Sequence, residues 1–192
     1  MEWVEPCGTN AITQGTIIDG VEWGEEHGPA LSIVLSNACD LEHDKAGFVV
    51  VAALIPAAET LASTKEFINK VQGADSNKQL KKKQWESFSA YIEDFIHNKN
   101  VGRYYYFNPA PVIDVPPLFV DFQYIQSIHI SRFKILVADA QVEAVGQLKH
   151  PFVEKMMMHF VGYTGRVPSD REDGAQEAFD MQNLANGYTC KV

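Results

Sequence analysis

Gly28-Pro29-Ala30-Leu31-Ser32-Ile33-Val34-Leu35-Ser36-Asn37 and, after a polar stretch, Phe48-Val49-Val50-Val51-Ala52-Ala53-Leu54 decide how this chain folds. Both runs are short, rich in β-branched side chains and bounded by turn-forming residues, as strands with two covered faces require. The spacing predicts one strand over residues 30–35 and another over 48–54. Thr16-Ile17-Ile18 reads as a shorter strand ahead of them, joined by an acidic, glycine-containing loop over residues 20–29.

Further along, the pattern changes. Between residues 64 and 100 the β signal vanishes and charge rises. Trp85, Phe88, Ile92, Phe95 and Ile96 recur at three- and four-residue steps, the spacing of one apolar helical face. Lys81-Lys82-Lys83 precedes them on the wet side. Residues 64–100 therefore read as a helical insertion, because a separate domain would need a larger core of its own. β structure resumes over residues 103–107. The crossing over 109–117 is too rich in proline for a central strand, since proline lacks the ladder donor. Two short strands are expected over 118–122 and 125–130. Pro151 suits the first turn of a helix, with Phe152, Val153, Met156, Met157 and Phe160 as its buried stripe and Gly162 as its end. From Ser169 onward the chain is polar and acidic, a tail expected to order on a partner.

The whole-chain totals fit a single domain. The chain has 192 residues, of which 46% are hydrophobic, enough to build a core. The longest apolar run, residues 48–58, is about half of what a bilayer crossing needs. Met1-Glu2-Trp3-Val4-Glu5 carries acids where a secretion signal carries Lys or Arg. The expectation is a cytoplasmic protein without membrane association. Cys7, Cys39 and Cys190 are odd in number and far apart, unlike a disulfide framework or a zinc ribbon. A net charge of −9 argues against broad affinity for duplex DNA, which depends on neutralising phosphates. Together the elements predict an α+β fold: a small SH3-like β-barrel with a helical insertion and a C-terminal helix.

In that order the elements resemble a known family. Gly15-Thr16-Ile17-Ile18, a loop, and the run from Gly28 to Asn37 are similar to the opening of MazF/PemK-type toxins. In that family a "GD-hydrophobic" strand leads to an "RPALVLS-N" strand. Phe48 to Ile55 looks like the family's "VVVAPIT" strand, and Val120 to Ile128 resembles its "S-V-LDQIRTID" strand. The terminal helix of residues 152–160 falls where the family places its own, and the match touches roughly half of the chain. The resemblance implies an SH3-like barrel, a homodimer, and a prokaryotic or phage-conflict role. It also implies metal-independent cleavage of single-stranded RNA by an Arg before the Pro of the second strand and a Thr closing the third. Such an Arg stabilises charge developing on phosphorus. Here those positions hold Gly28 and Ile55, and His27 replaces the missing charge only in part. The expectation is a MazF-like fold without that family's active site.

Other chemistry is open in the residues. Ser36-Asn37-Ala38-Cys39-Asp40-Leu41-Glu42-His43-Asp44 is the densest reactive cluster and falls in the turn after the second strand. One reading makes Cys39 a nucleophile with His43 or another histidine as base. A second makes Cys39 and His43 metal ligands, helped by Asp40 or Asp44. A third makes Cys39 a small buried hydrophobe and has the acids cap or solvate a turn, Asp40 having the best claim to a structural job, since a buried carboxylate can tie loop N–H groups together. Cys-x₃-His lacks a second ligand pair, so no metal and no cofactor are expected.

Arg103, Tyr104 and Tyr106 offer cation and ring faces for stacking on unpaired bases, or else pack within the sheet. Lys81, Lys82 and Lys83 are phosphate contacts or a solvated helix start. The methionines Met156, Met157 and Met158 read as core, and His129 as a surface or satisfied histidine. The leading functional expectation is a non-catalytic or altered binding module, engaging a protein partner or single-stranded RNA through the barrel groove or the inserted helix. The alternatives are a ribonuclease or other hydrolase using Cys39, Asp40 and His43, and an acidic inhibitor of a nucleic-acid-binding partner.

Overall fold

The computed structural model describes residues 2–7, 12–24, 28–43, 45–72, 74, 78–99 and 102–165; the tail from Ser169 lies outside them. The chain forms β1 (Val4–Glu5), β2 (Thr16–Asp19), β3 (Leu31–Val34), α1 (Ala38–Glu42) and β4 (Phe48–Pro56). Next come α2 (Ala57–Ala62), α3 (Lys65–Val71) and α4 (Lys82–Ile96), then β5 (Tyr104–Phe107) and β6 (Leu118–His129). α5 (Ile130–Ala138), β7 (Glu143–Leu148) and α6 (Phe152–Thr164) complete the order.

The strands make one antiparallel sheet in the order β1-β7-β2-β3-β4-β6-β5, curled into a half-barrel. Its two edges approach each other through side chains. Trp3, next to β1, meets Tyr106 of β5 edge-on at 6.2 Å between ring centres. The mixed α+β class and the curled sheet agree with the sequence pattern.

Period-two alternation explains the two covered faces. Ile33 and Leu35, Ala52 and Leu54, Leu118 and Val120, Tyr105 and Phe107 turn to the concave side and pack with Phe152, Val153 and Met156 of α6. Val34, Val49 and Val51 turn the other way, onto Phe133 of α5. Phe119, also facing outward, packs with Ala57 and Leu61 of α2 and with Phe67, Tyr91 and Phe95 of α3 and α4. α6 closes the concave side. His159 is buried there between the rings of Tyr105 and Phe122 and is hydrogen-bonded to the backbone of Gly102.

Several local expectations need correction. The two strands expected over 118–122 and 125–130 are one strand, β6, interrupted by a bulge: Ala53 pairs with Asp121 and Ala52 with Ile125. A bulge interrupts the ladder but not the strand. Ile130 belongs to α5, which His129 caps by accepting the Ser131 N–H. Gly162 does not end the last helix; α6 runs on to Thr164, and Gly165 N–H closes it on the Val161 carbonyl at 2.8 Å.

Among the described glycines, Gly20 leaves the least room for a side chain. Its φ is +84°, and a Cβ there would fall 1.8 Å from the carbonyl oxygen of Gln141.

The edge strand β5 is protected. Asn98, just past α4, donates its Nδ2–H to the Tyr106 carbonyl (2.9 Å) and accepts the Tyr106 N–H (2.7 Å). Its amide stands in for one residue of a neighbouring strand.

Candidate functional site

Strand pairing assembles a cleft at one end of the sheet. The Leu31–Leu54 pairing sets Gly28-Pro29-Ala30 beside Ile55-Pro56. The Pro56–Leu118 pairing then carries Val115 and Pro116, from the proline-rich crossing, to the same place. The result is a cleft of about 440 Å³ lined by these residues, Leu31, Leu54, Leu118 and Tyr124. Gly28 and Ile55, the positions at which the resemblance implies Arg and Thr, lie in this one cleft. His27 lies outside the described residues.

A second hollow, about 690 Å³, shares Gly28 and Pro29 and continues along residues 21–24 to Gln126. Trp23 is fixed there by an Nε1–H bond to Ser32 Oγ (3.1 Å) and by its ring 4.5 Å from that of Tyr124. Gln126 donates from Nε2 to the Glu22 carbonyl at 3.1 Å. Among the described residues that line the two hollows, the charged one is Glu22. Among the described residues a phosphate backbone would therefore meet a carboxylate there.

The Cys39 cluster forms a helix where a turn is expected. Asn37 caps α1 by accepting the Cys39 N–H at 2.8 Å. Cys39, Asp40 and His43 are all exposed, so Cys39 is not a buried hydrophobe and Asp40 is not a buried carboxylate. The Asp40 group that ties the following loop is its backbone carbonyl, which accepts from Lys45 (2.8 Å) and Ala46 (3.1 Å). His43 lies one turn after Cys39, joined to it through the backbone by N–H to carbonyl at 3.1 Å. Among the described residues no hydrogen bond joins these side chains, and no group of three or more His, Cys, Asp or Glu is placed to hold a metal. Asp44 lies outside the described residues. The apolar cleft beside α1, about 620 Å³ between Leu41 and Phe133, is lined by neither Cys39 nor His43.

Arg103, Tyr104 and Tyr106 all engage the fold. Arg103 makes a two-pronged ion pair with Asp121: Nε to Oδ1 at 2.6 Å and Nη2 to Oδ2 at 2.5 Å. The Asp121 side chain is only 2% exposed against 42% for Arg103, and Asp121 Oδ1 also accepts the Gln123 N–H. Hydrogen bonding to Asp121 holds the guanidinium above the ordinary arginine value. Tyr104 stacks on Phe119 with ring centres 5.1 Å apart, and Tyr106 sits between Trp3 and Phe119. Burial raises both phenols.

Lys81, Lys82 and Lys83 are exposed at the start of α4. Beside them Trp85 is 57% exposed, and Ile96 is exposed at the far end. Both were expected on the buried stripe. At about 100° per residue they lie on its margin, while Phe88, Tyr91 and Phe95 hold its centre. α3 covers the centre: Phe67 packs on Phe88, and Tyr91 meets Thr64. The apolar residue types were legible in sequence; how far a seven-residue partner helix covers them was not.

No protein-family model matches this chain, and no match was found among curated proteins or solved structures. No helix of the described residues is long and apolar enough to cross a membrane.

Proposed function

We propose that this chain is a MazF/PemK-like, SH3-like barrel protein that works as a binding module and does not cut RNA. Its cleft between β3, β4 and the proline-rich crossing receives an apolar segment of a protein partner. The observation that carries this reading is the chemistry of that cleft: Gly28 and Ile55 meet in it, among Pro29, Leu54, Pro56 and Pro116. Neither can stabilise charge on phosphorus or move a proton, and Glu22 next door repels phosphate. Apolar walls with few polar groups suit aliphatic or aromatic anchors. A prokaryotic toxin–antitoxin or phage-conflict setting, and a homodimer, follow from the resemblance as parts of the same proposal.

The test is selection from a random-peptide phage library on the purified protein. Enriched peptides are expected to carry apolar anchors and to lose about tenfold or more in affinity for Ala30→Asp and Pro116→Glu, both at exposed cleft positions. Equal binding by the variants would refute the site.

The second reading, a hydrolase using Cys39, Asp40 and His43, is favoured by one observation: the Cys39 thiol is exposed to solvent. Cys39→Ala separates the two readings, because the binding module keeps its peptide affinity in that variant.

A further inference from the structure

Residues 64–100 carry seven lysines against five acids, whereas the rest of the chain has nine basic against twenty acidic residues. The excess is concentrated: Lys78, Lys81, Lys82 and Lys83 fall within six positions that contain no acid. All four are exposed, and among the described residues none makes an ion pair. The nearest acid along α4 is Glu86, itself exposed and without an ion pair there. The first turn of α4 has no acid, and its N-cap residue, Lys81, caps it with no side-chain hydrogen bond. Three cations at that end oppose the helix dipole, an arrangement that does nothing for the stability of α4. Within this turn stands Trp85, 57% exposed, its indole leaning on Phe88 at 6.0 Å and its outer face open.

From this juxtaposition we infer that the start of α4 is a binding site for single-stranded nucleic acid, with Trp85 stacking on an unpaired base and Lys81, Lys82 and Lys83 contacting the flanking phosphates. Alternation of one ring with several mobile cations matches the alternation of base and phosphate in an unpaired strand. A membrane surface fits less well. The apolar face that α4 would need to insert is taken up by packing on Phe67 and Phe119, leaving Trp85 and the 53%-exposed Ile68 as the large apolar groups at this end. The site is separate from the cleft and needs no cleavage chemistry.

The experiment is titration of the whole protein with fluorescein-labelled oligo(dT) and oligo(U) of about 12 nucleotides, at about 50 to 200 mM salt. Saturable binding is expected, with quenching of tryptophan fluorescence that disappears in Trp85→Ala. Trp85→Ala weakens binding by about 5- to 150-fold, and Trp85→Phe keeps most of it. The triple variant Lys81→Gln/Lys82→Gln/Lys83→Gln lowers the slope of log K against log salt by about 2. All these positions are exposed, so circular dichroism should match the parent, and Ala30→Asp in the cleft should bind the strand as the parent does. The inference is overturned by absence of saturable binding at the lower salt, or by equal affinity in the Trp85→Ala and triple-lysine variants. Tighter binding to phosphatidylserine-containing vesicles than to either oligonucleotide would overturn it in favour of a membrane surface.

Discussion

Replacing Arg103 by alanine should destabilise the fold more than replacing its partner. The Asp121 side chain is 2% exposed and has two partners, the Arg103 guanidinium and the Gln123 N–H. Without Arg103 a buried carboxylate keeps one hydrogen bond and no counter-charge. Removing one member of a fully buried pair costs about 3–5 kcal/mol. Arg103 is 42% exposed, so water already screens part of the attraction, and the expected loss falls to about 2–3 kcal/mol. Asp121→Ala leaves an arginine that water can reach and one orphaned N–H, for a loss of about 1–2 kcal/mol. Arg103→Lys should recover little, because one ammonium cannot replace the fork. Urea unfolding reads this directly: at a slope of about 2 kcal/mol per M, Arg103→Ala should lower the midpoint by about 1 M or slightly more. An Arg103→Ala midpoint within error of the parent would show that the ion pair does not hold β5 to β6. So would a smaller loss than that of Asp121→Ala.

Three further outcomes follow from the same geometry. Burial raises the Tyr105 phenol above its ordinary value of 10.0, and its hydroxyl donates to the Phe152 carbonyl. The unfolded chain therefore releases this proton first, and stability present below about pH 10 is lost as pH rises. Urea midpoints at pH 8 and pH 11 should differ less in Tyr105→Phe than in the parent. Gly20→Ala should cost about 1–3 kcal/mol for backbone strain alone, and more for the clash with Gln141, read as a lowered Tm. Asn98→Ala removes two hydrogen bonds from the edge strand and should cost about 1–3 kcal/mol, with new concentration-dependent association by light scattering.

The sheet was legible where it is most buried. β2, β3 and β4 announce themselves because both faces are covered and the aliphatic runs are nearly continuous. β7 does not: Glu143 and Ala144 are exposed, and Gly146 lies against Val4 and Ile113, so Glu143-Ala144-Val145-Gly146-Gln147-Leu148 has no clear period. β1 is two residues long, beneath any pattern. The bulge in β6 hid the continuity of two apparent strands, and α5 was missed because Ile128 and Ile130 extend an alternating pattern across a His129 cap.

The cleft was half legible. Gly28 and Ile55 could be placed once β3 and β4 were paired. Val115, Pro116 and Tyr124 reach the cleft only through the crossing and the β6 register, which are tertiary facts. Exposure of Cys39 and Trp85 depends on which neighbours cover them, and residue type does not encode that.

The central claim is that the barrel binds and does not cut. Purified protein incubated with single-stranded RNA, with and without chelator, beside Cys39→Ala, tests it most directly. The account predicts intact RNA in every lane. Cleavage by the parent that is lost in Cys39→Ala would contradict it and move the chemistry to α1, and sensitivity to chelator would then assign that chemistry to a metal held by Cys39 and His43.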